Sequence, residues 1–167
     1  GISWRWRNTV IMESCKEEAA VHLGIPALLD FYREHRDEEH LVLATIIGTS
    51  GSTYRKPGAM MLIGSEGDYA GLISGGCLEG DLLHHAADVF SNGRARQITY
   101  DMHADEELVW NLGLGCDGVI HLMLQRLDRA DGFGFLEALN ASQGAGRASV
   151  LALVTGSPGI PAIGDFG

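Results

Sequence analysis

Three segments of this chain set reactive or ionic side chains among glycines. The first is Ser74-Gly75-Gly76-Cys77-Leu78-Glu79-Gly80-Asp81. An apolar run precedes it and a helical pattern follows, so it reads as strand, tight turn and helix N-terminus. Two glycines let the backbone approach a ligand closely, and the free N–H groups of a helix end favour an anion. Cys77 is expected in the first helical turn, where the helix dipole favours a thiolate. Glu79 shares an arc with Leu78, Leu82 and Ala86, so it should turn inward or line a cleft, ready to orient an amide or amino group. The plainer readings are a glycine turn with a small buried cysteine, and a carboxylate that merely suits the first turn electrostatically.

The second segment, Ser50 to Gly58, gathers the hydroxyls of Ser50, Ser52, Thr53 and Tyr54 with Arg55 and Lys56 in an otherwise acidic chain. A guanidinium suits a bidentate grip on phosphate or carboxylate. The plainer reading is a solvated loop with two surface cations. The third, Leu112-Gly113-Leu114-Gly115-Cys116-Asp117-Gly118, again surrounds a cysteine with small residues, which would leave its sulfur accessible. It is not a dinucleotide fingerprint, because a strand and not a helix follows it. His84 and His85 are adjacent and point apart on one helix, and His103 and His121 are isolated, so these four read as structural or solvent-facing. No Ser-His-Asp or HExxH pattern is present, and no metal site built from protein ligands alone is expected.

The elements that must carry these segments follow from the apolar pattern. Glu13 to Leu23 has helical composition, and residues 1–12 show no clear periodicity. Pro26 suits the first turn of a helix that runs to about His35 with Leu28, Leu29, Phe31 and Tyr32 on its apolar side. Leu41 to Ile47 is a buried strand, and Ala59–Ile63 and Tyr69–Ile73 form a hairpin around Glu66-Gly67-Asp68. A helix from about Cys77 to Ser91 ends at Asn92-Gly93. Ala95–Tyr100 is a strand, Asp101 caps a short helix through Trp110, and Val119–Leu127 is a strand. A helix over Gly132–Ala141 and a strand over Ala148–Thr155 complete the series. The fold class is α/β, with a mixed α+β arrangement as the alternative: one layered domain of about six strands and three to five helices. Leu41 to Thr45 and Ser149 to Leu153 are weakly alike, each running into a glycine- and hydroxyl-bearing loop. The chain thus divides into an extension with a helix (1–25), a central domain (26–128) and a helix and strand opening a second unit (129–167).

The bulk properties narrow the class. At 167 residues, 46% apolar, the chain can bury a core without disulfide staples. A net charge of -10 disfavours nucleic acid and anionic membrane as partners. No apolar run approaches the roughly 20 residues that span a bilayer, and the first residues, Gly1 to Arg7, lack the apolar core of a signal peptide. Cys15, Cys77 and Cys116 are odd in number and widely spaced, which points to a reducing cytoplasm over a disulfide framework. The 23 glycines cluster between apolar segments, as tight turns require.

Five blocks taken in order resemble the N-terminal domain of the XdhC/CoxI family. They are Leu43-Ala44-Thr45, Gly51 to Ala59, Ser74 to Asp81, Thr99-Tyr100-Asp101 and Gly113 to Gly118. The resemblance extends from about Pro26 to Leu127. It implies an accessory protein for molybdenum hydroxylases such as xanthine and carbon monoxide dehydrogenases. Such a protein is a carrier more than an enzyme, holding molybdenum cofactor (molybdopterin or its dinucleotide form) as transient cargo during sulfuration and insertion. It further implies the apoenzyme and a cysteine desulfurase as partners, a homodimer, and a cytoplasmic location. The site residues expected on this basis are Ser52, Thr53, Arg55, Lys56, Ser74, Gly75, Gly76, Cys77, Glu79, Asp101 and Cys116. Among them Arg55, Lys56 and the Ser74–Gly76 backbone suit the anionic tail, Glu79 or Asp101 the pterin, and Cys77 with Cys116 the metal or its sulfur. Two other classes remain open: an enzyme using Cys77 as a reactive thiol for sulfur transfer or redox work, and a module that docks on the hydroxylase without a ligand of its own. Many family members continue into a Rossmann-type domain, which is not expected within these residues. Asp117 stands where a small residue is common, and the N-terminal Trp-Arg repeat lies outside the family pattern.

Overall fold

The long strand β2, His40–Gly51, is the spine of the molecule. The computed structural model describes residues 9–13, 24–76, 78–102, 118–146 and 150–154. Strand β2 pairs antiparallel with β3 (Met60–Ile63) on one side and with β6 (Gly118–Asp128) on the other. Strand β4 (Tyr69–Gly71) adds beyond β3, and β5 (Arg96–Asp101) beyond β6. The resulting five-stranded sheet has the order β4-β3-β2-β6-β5, with every neighbouring pair antiparallel.

Side chains alternate across the sheet, so each strand feeds two cores. Val42, Ala44, Ile46, Met61, Ile63, Leu122 and Leu124 point to one face. Helix α2, Glu79–Asn92, covers that face with Leu82, Ala86 and Val89, and Leu78 joins them from its N-cap. The i, i+4, i+7 spacing of the helical residues makes that stripe. Leu82, with no exposed surface, contributes about 2 kcal/mol by its burial. Leu41, Leu43, Met60, Leu62 and Leu127 point to the opposite face. There α1 (Ile25–His35) supplies Leu28, Phe31 and Tyr32, and α3 (Gly134–Gly144) supplies Leu136. The two helices meet through Tyr32 Oη donating to Glu137 Oε1 and Arg33 Nη2 donating to Asn140 Oδ1 at 2.8 Å. The domain is therefore a mixed α/β sandwich of three layers, as expected, with its sheet antiparallel throughout.

Most expected elements occur within a residue or two of their expected bounds. Helix α1 carries Pro26 in its first turn, the hairpin of β3 and β4 forms, and Gly93 closes α2 in the left-handed conformation at φ 69°. Three differences are informative. Residues Thr9–Glu13, which span the end of the stretch without clear periodicity and the first residue of the segment with helical composition, form β1, which pairs antiparallel with β7 (Val150–Val154). Alternation over five residues is too short to see without the partner strand. Strand β2 runs on past Ile47 because β6 pairs with it as far as Gly51, through a register shift between Ile46 and Gly48. Helix α2 begins at Glu79, two residues later than expected, with Leu78 as its N-cap. Glu13 is the last residue of β1 and Asp101 the last of β5. The rest of the expected helices over Glu13–Leu23 and Asp101–Trp110 falls outside the described residues, apart from Met102.

One glycine is needed for the sheet to close. Gly71 has φ 89°, and a Cβ there would stand 2.3 Å from the Met60 carbonyl oxygen. Any side chain at 71 would push β4 off β3.

Candidate functional site

The end of the sheet where β2 overshoots β3 is where the glycine blocks meet. The last residue of β2 paired to β3 is Thr45, yet β2 stays bonded to β6 through Gly51. The chain then turns back through residues 52–58, and the turn is closed by Gly58 N–H donating to Ile46 O at 2.8 Å and Ile46 N–H to Ala59 O at 2.9 Å. Thr53 Oγ1 donates to the Arg55 carbonyl at 2.9 Å, so that hydroxyl serves the shape of the loop.

Gly118, the first residue of β6, fits under this loop. A Cβ there would lie 2.5 Å from Ser52 O, 2.8 Å from Ser50 O and 2.6 Å from Thr53 Cγ2. On the other side stands the Ser74–Gly76 loop: the Cβ position of Gly75 is 3.8 Å from the Tyr54 ring. Tyr54 is 59% exposed, and Gly75 and Gly76 are exposed beside it. Gly76 has φ 110°, a conformation that strains any other residue. Asp101 ends β5 opposite Val119, at the same end of the sheet. The second block, the first block and the end of the third are thus neighbours in space. In the sequence Tyr54 stands out only for its hydroxyl; its position against Gly75 makes its ring the relevant feature, which no local signal announces.

The Ser74–Glu79 turn is held by one carboxylate. Glu79 Oε1 accepts the N–H groups of Ile73 at 3.0 Å and Ser74 at 2.9 Å. Oε2 accepts Ser74 Oγ–H at 2.7 Å and Gly76 N–H at 3.0 Å. Ser74 Oγ in turn accepts the Leu78 N–H at 2.9 Å, in the reciprocal manner of a capping box. Glu79 is 1% exposed. Burial pushes its carboxyl up, but the hydrogen bonds from Ser74 and Ile73 outweigh that and hold it below the usual carboxylate range. Glu79 turns inward, as its position on the helix arc implies. Its two oxygens are engaged with the loop, and the Ser74 and Gly76 amides that were expected to face an anionic ligand are directed at it. The cradle at this helix end holds the protein's own anion, so Glu79 and Ser74 shape the turn from beneath. Gly75 and Gly76 form its exposed rim.

A second link ties the helix to the neighbouring edge strand. Tyr100 Oη donates to Asp81 Oδ2 at 2.5 Å, and His85 Nε2 lies 3.3 Å from the same oxygen. Burial and the Asp81 carboxylate push the Tyr100 phenol far above its ordinary value. This anchors the first turn of α2 to β5, next to Asp101.

Of the expected site residues, Arg55 is half-buried and Ser52 and Lys56 are exposed, all on the loop beside Gly75. Neither Arg55 nor Lys56 has a carboxylate partner among the described residues. Arg33, Arg96, Arg126 and Arg129 are ion-paired with Asp30, Asp88, Asp128 and Asp37, whereas Arg36 and Arg94, like Arg55, have no carboxylate partner among the described residues. Cys77 and Cys116 lie outside the described residues.

Residues 35–101 match the model of the XdhC and CoxI family, which includes the first four blocks and leaves out Gly113 to Gly118. The chain is 40% identical over 106 residues to a probable xanthine dehydrogenase subunit of Bacillus subtilis strain 168, covering 64% of this chain and 30% of that protein. It is 36% identical over 90 residues to the molybdenum cofactor insertion chaperone PaoD of Escherichia coli strain K12, covering 53% of this chain and 27% of the chaperone. A solved structure described as a xanthine dehydrogenase from Bacillus halodurans superposes with a TM-score of 0.57 at 34% identity, over 71% of this chain and 34% of that one. The chain therefore matches about a third of the length of each of these proteins.

Proposed function

From residues 35–101 belonging to the XdhC and CoxI family, we propose that the chain acts in maturation of a molybdenum hydroxylase, binding molybdenum cofactor as cargo and passing it to the apoenzyme. The observation that carries the reading is the meeting of Arg55 and Lys56, both without carboxylate partners among the described residues, with the exposed rim Gly75-Gly76. Two cations without such partners in a chain of net charge -10 form a local site for the phosphate of the cofactor, and exposed glycines permit close approach of its bulk. Arg55 and Lys56 grip the anionic tail. Ser52 borders them, and Thr53 fixes the path of the loop. Glu79 and Ser74 hold the turn so that its rim and the following residue, Cys77, meet the cargo. Asp101 borders the same end of the sheet as a hydrogen-bond acceptor for the pterin, and Cys77 with Cys116 supply thiols toward the metal and its terminal sulfur.

The same reading assigns the sulfur source to a cysteine desulfurase, the recipient to a xanthine- or carbon monoxide dehydrogenase-type apoenzyme, and the setting to the cytoplasm. No helix among the described residues is long and apolar enough to cross a membrane. A second reading, a docking module without its own ligand, draws on the full engagement of Glu79 by the loop.

Cofactor retention separates them. Purified wild-type protein should retain cofactor, detected as its oxidised fluorescent pterin, and Arg55→Ala should lose most of it while remaining folded. Cys77→Ala should retain the pterin and lose transferable sulfur. If the wild type retains none, the docking reading stands. If it does retain cofactor and neither substitution changes the outcome, the assignment of these residues fails.

A further inference from the structure

At the opposite end of β3 from this loop, three side chains of metal-ligating type converge. His35 closes α1, its ring stacked on Phe31 with centroids 3.8 Å apart and planes at 13°. Its Nδ1 lies 2.8 Å from the Phe31 carbonyl oxygen. A carbonyl only accepts, so Nδ1 carries the hydrogen and Nε2 is aimed away from the helix. That nitrogen sits 2.5 Å from Asp68 Oδ2 and 3.8 Å from Glu38 Oε1. Glu38 is steadied through its other oxygen, which accepts the Ser65 N–H at 2.8 Å. The three donor atoms lie within 4.8 Å of one another. The backbone makes room for them at Gly64, where a Cβ would stand 2.5 Å from Asp68 Oδ1 and 3.2 Å from Glu38 Oε1.

We propose that His35, Glu38 and Asp68 bind a divalent transition-metal ion, of the Zn²⁺ or Mn²⁺ kind, clipping the end of α1 to the β3–β4 turn. In the metal-free chain both ring nitrogens face acceptors, the Phe31 carbonyl and the Asp68 carboxylate, so a divalent ion would bind by displacing the Nε2 proton. A protonated imidazole between two carboxylates leaves the cluster at -1, whereas a divalent ion with neutral imidazole brings it to zero. The orientation of His35 is the one a ligand imidazole adopts, with its distal nitrogen committed to a carbonyl. One imidazole and two carboxylates suit borderline-to-hard divalent ions, and three protein ligands leave a position for water. The sequence does not announce the site, because Asp68 reaches it from a turn more than thirty residues away.

Cobalt(II) is the probe that tests it, added to the full chain after chelator treatment and dialysis. One equivalent should bind with d–d absorption and no thiolate charge-transfer band in the near ultraviolet. Zn²⁺ should raise Tm with saturation at one equivalent. Asp68→Asn, at a half-exposed turn position, and His35→Gln should each abolish both effects, with far-ultraviolet circular dichroism confirming the fold. The proposal is overturned by absence of saturable binding, by binding that persists in both variants, or by a spectrum that reports cysteine ligation. None of these outcomes bears on cofactor retention at the other end of the sheet.

Discussion

Replacing Glu79 by Gln removes one charge and turns one acceptor oxygen into a donor inside a loop that presents only donors. With the amide oxygen in the place of Oε1, the bonds from Ile73 and Ser74 N–H survive. The new NH₂ then faces Ser74 Oγ–H and Gly76 N–H, and both bonds to Oε2 are lost. Ser74 Oγ cannot turn freely to compensate, since it already accepts the Leu78 N–H. Two lost bonds to a charged acceptor at about 1.5–3 kcal/mol each give a gross cost of about 3–6 kcal/mol. Relief of burying the charge offsets part of this, leaving about 3 kcal/mol at neutral pH. The sign of the pH dependence follows from the lowered carboxyl pKa. The unfolded chain takes up its proton near the ordinary value of about 4.3, before the folded one does. The stabilisation is thus complete above that pH and is lost as pH falls through the lower folded value. Urea unfolding followed by circular dichroism at pH 7 and again near pH 3.5 reads both effects. The wild type should exceed Glu79→Gln by about 3 kcal/mol at pH 7, and the gap should shrink at acid pH. A gap below about 0.5 kcal/mol at pH 7, or one that does not change with pH, would refute the carboxylate clamp.

Gly118→Ala places a methyl group against the carbonyls of Ser50 and Ser52, so it should cost about 1–3 kcal/mol and weaken cofactor retention by displacing the Arg55 loop; retention measured at matched folded fraction checks this. Burial and the Glu137 carboxylate push the Tyr32 phenol up to about 12, and Tyr100 is raised further. Both contribute stability that is complete below about pH 10 and lost as pH rises through their folded values, so alkaline titration at 295 nm should show two late steps, one removed by Tyr32→Phe and one by Tyr100→Phe. The Gln125 side-chain amide is buried without a hydrogen-bond partner among the described residues, on the same sheet face as its cross-strand neighbour Leu43. Gln125→Met should therefore stabilise the fold by about 1 kcal/mol in urea unfolding, and a loss of stability would reveal a partner for that amide.

Much of this protein is legible one segment at a time. Pro26 followed by the Leu28, Leu29, Phe31 and Tyr32 stripe specifies α1, the apolar β-branched run from Leu41 specifies the start of β2, and Asn92-Gly93 stops α2. These signals act between residues one to four positions apart, so no partner element is needed to read them. The family blocks are legible in the same way, as ordered short strings that need no fold to be seen. Tertiary structure decided the remainder. Strand β1 is recognisable only against β7, and β2 continues to Gly51 only because β6 pairs with it. Glu79 reads equally well as a ligand group or a helix-end charge until the fold sets four donors around its carboxylate. His35, Glu38 and Asp68 meet only when α1 docks on the β3–β4 turn. Hydrogen bonding and charge act over a few ångströms in space, whatever the separation along the chain. A sequence therefore identifies the residues able to do chemistry, and packing decides which of them face a ligand and which are used to hold the fold.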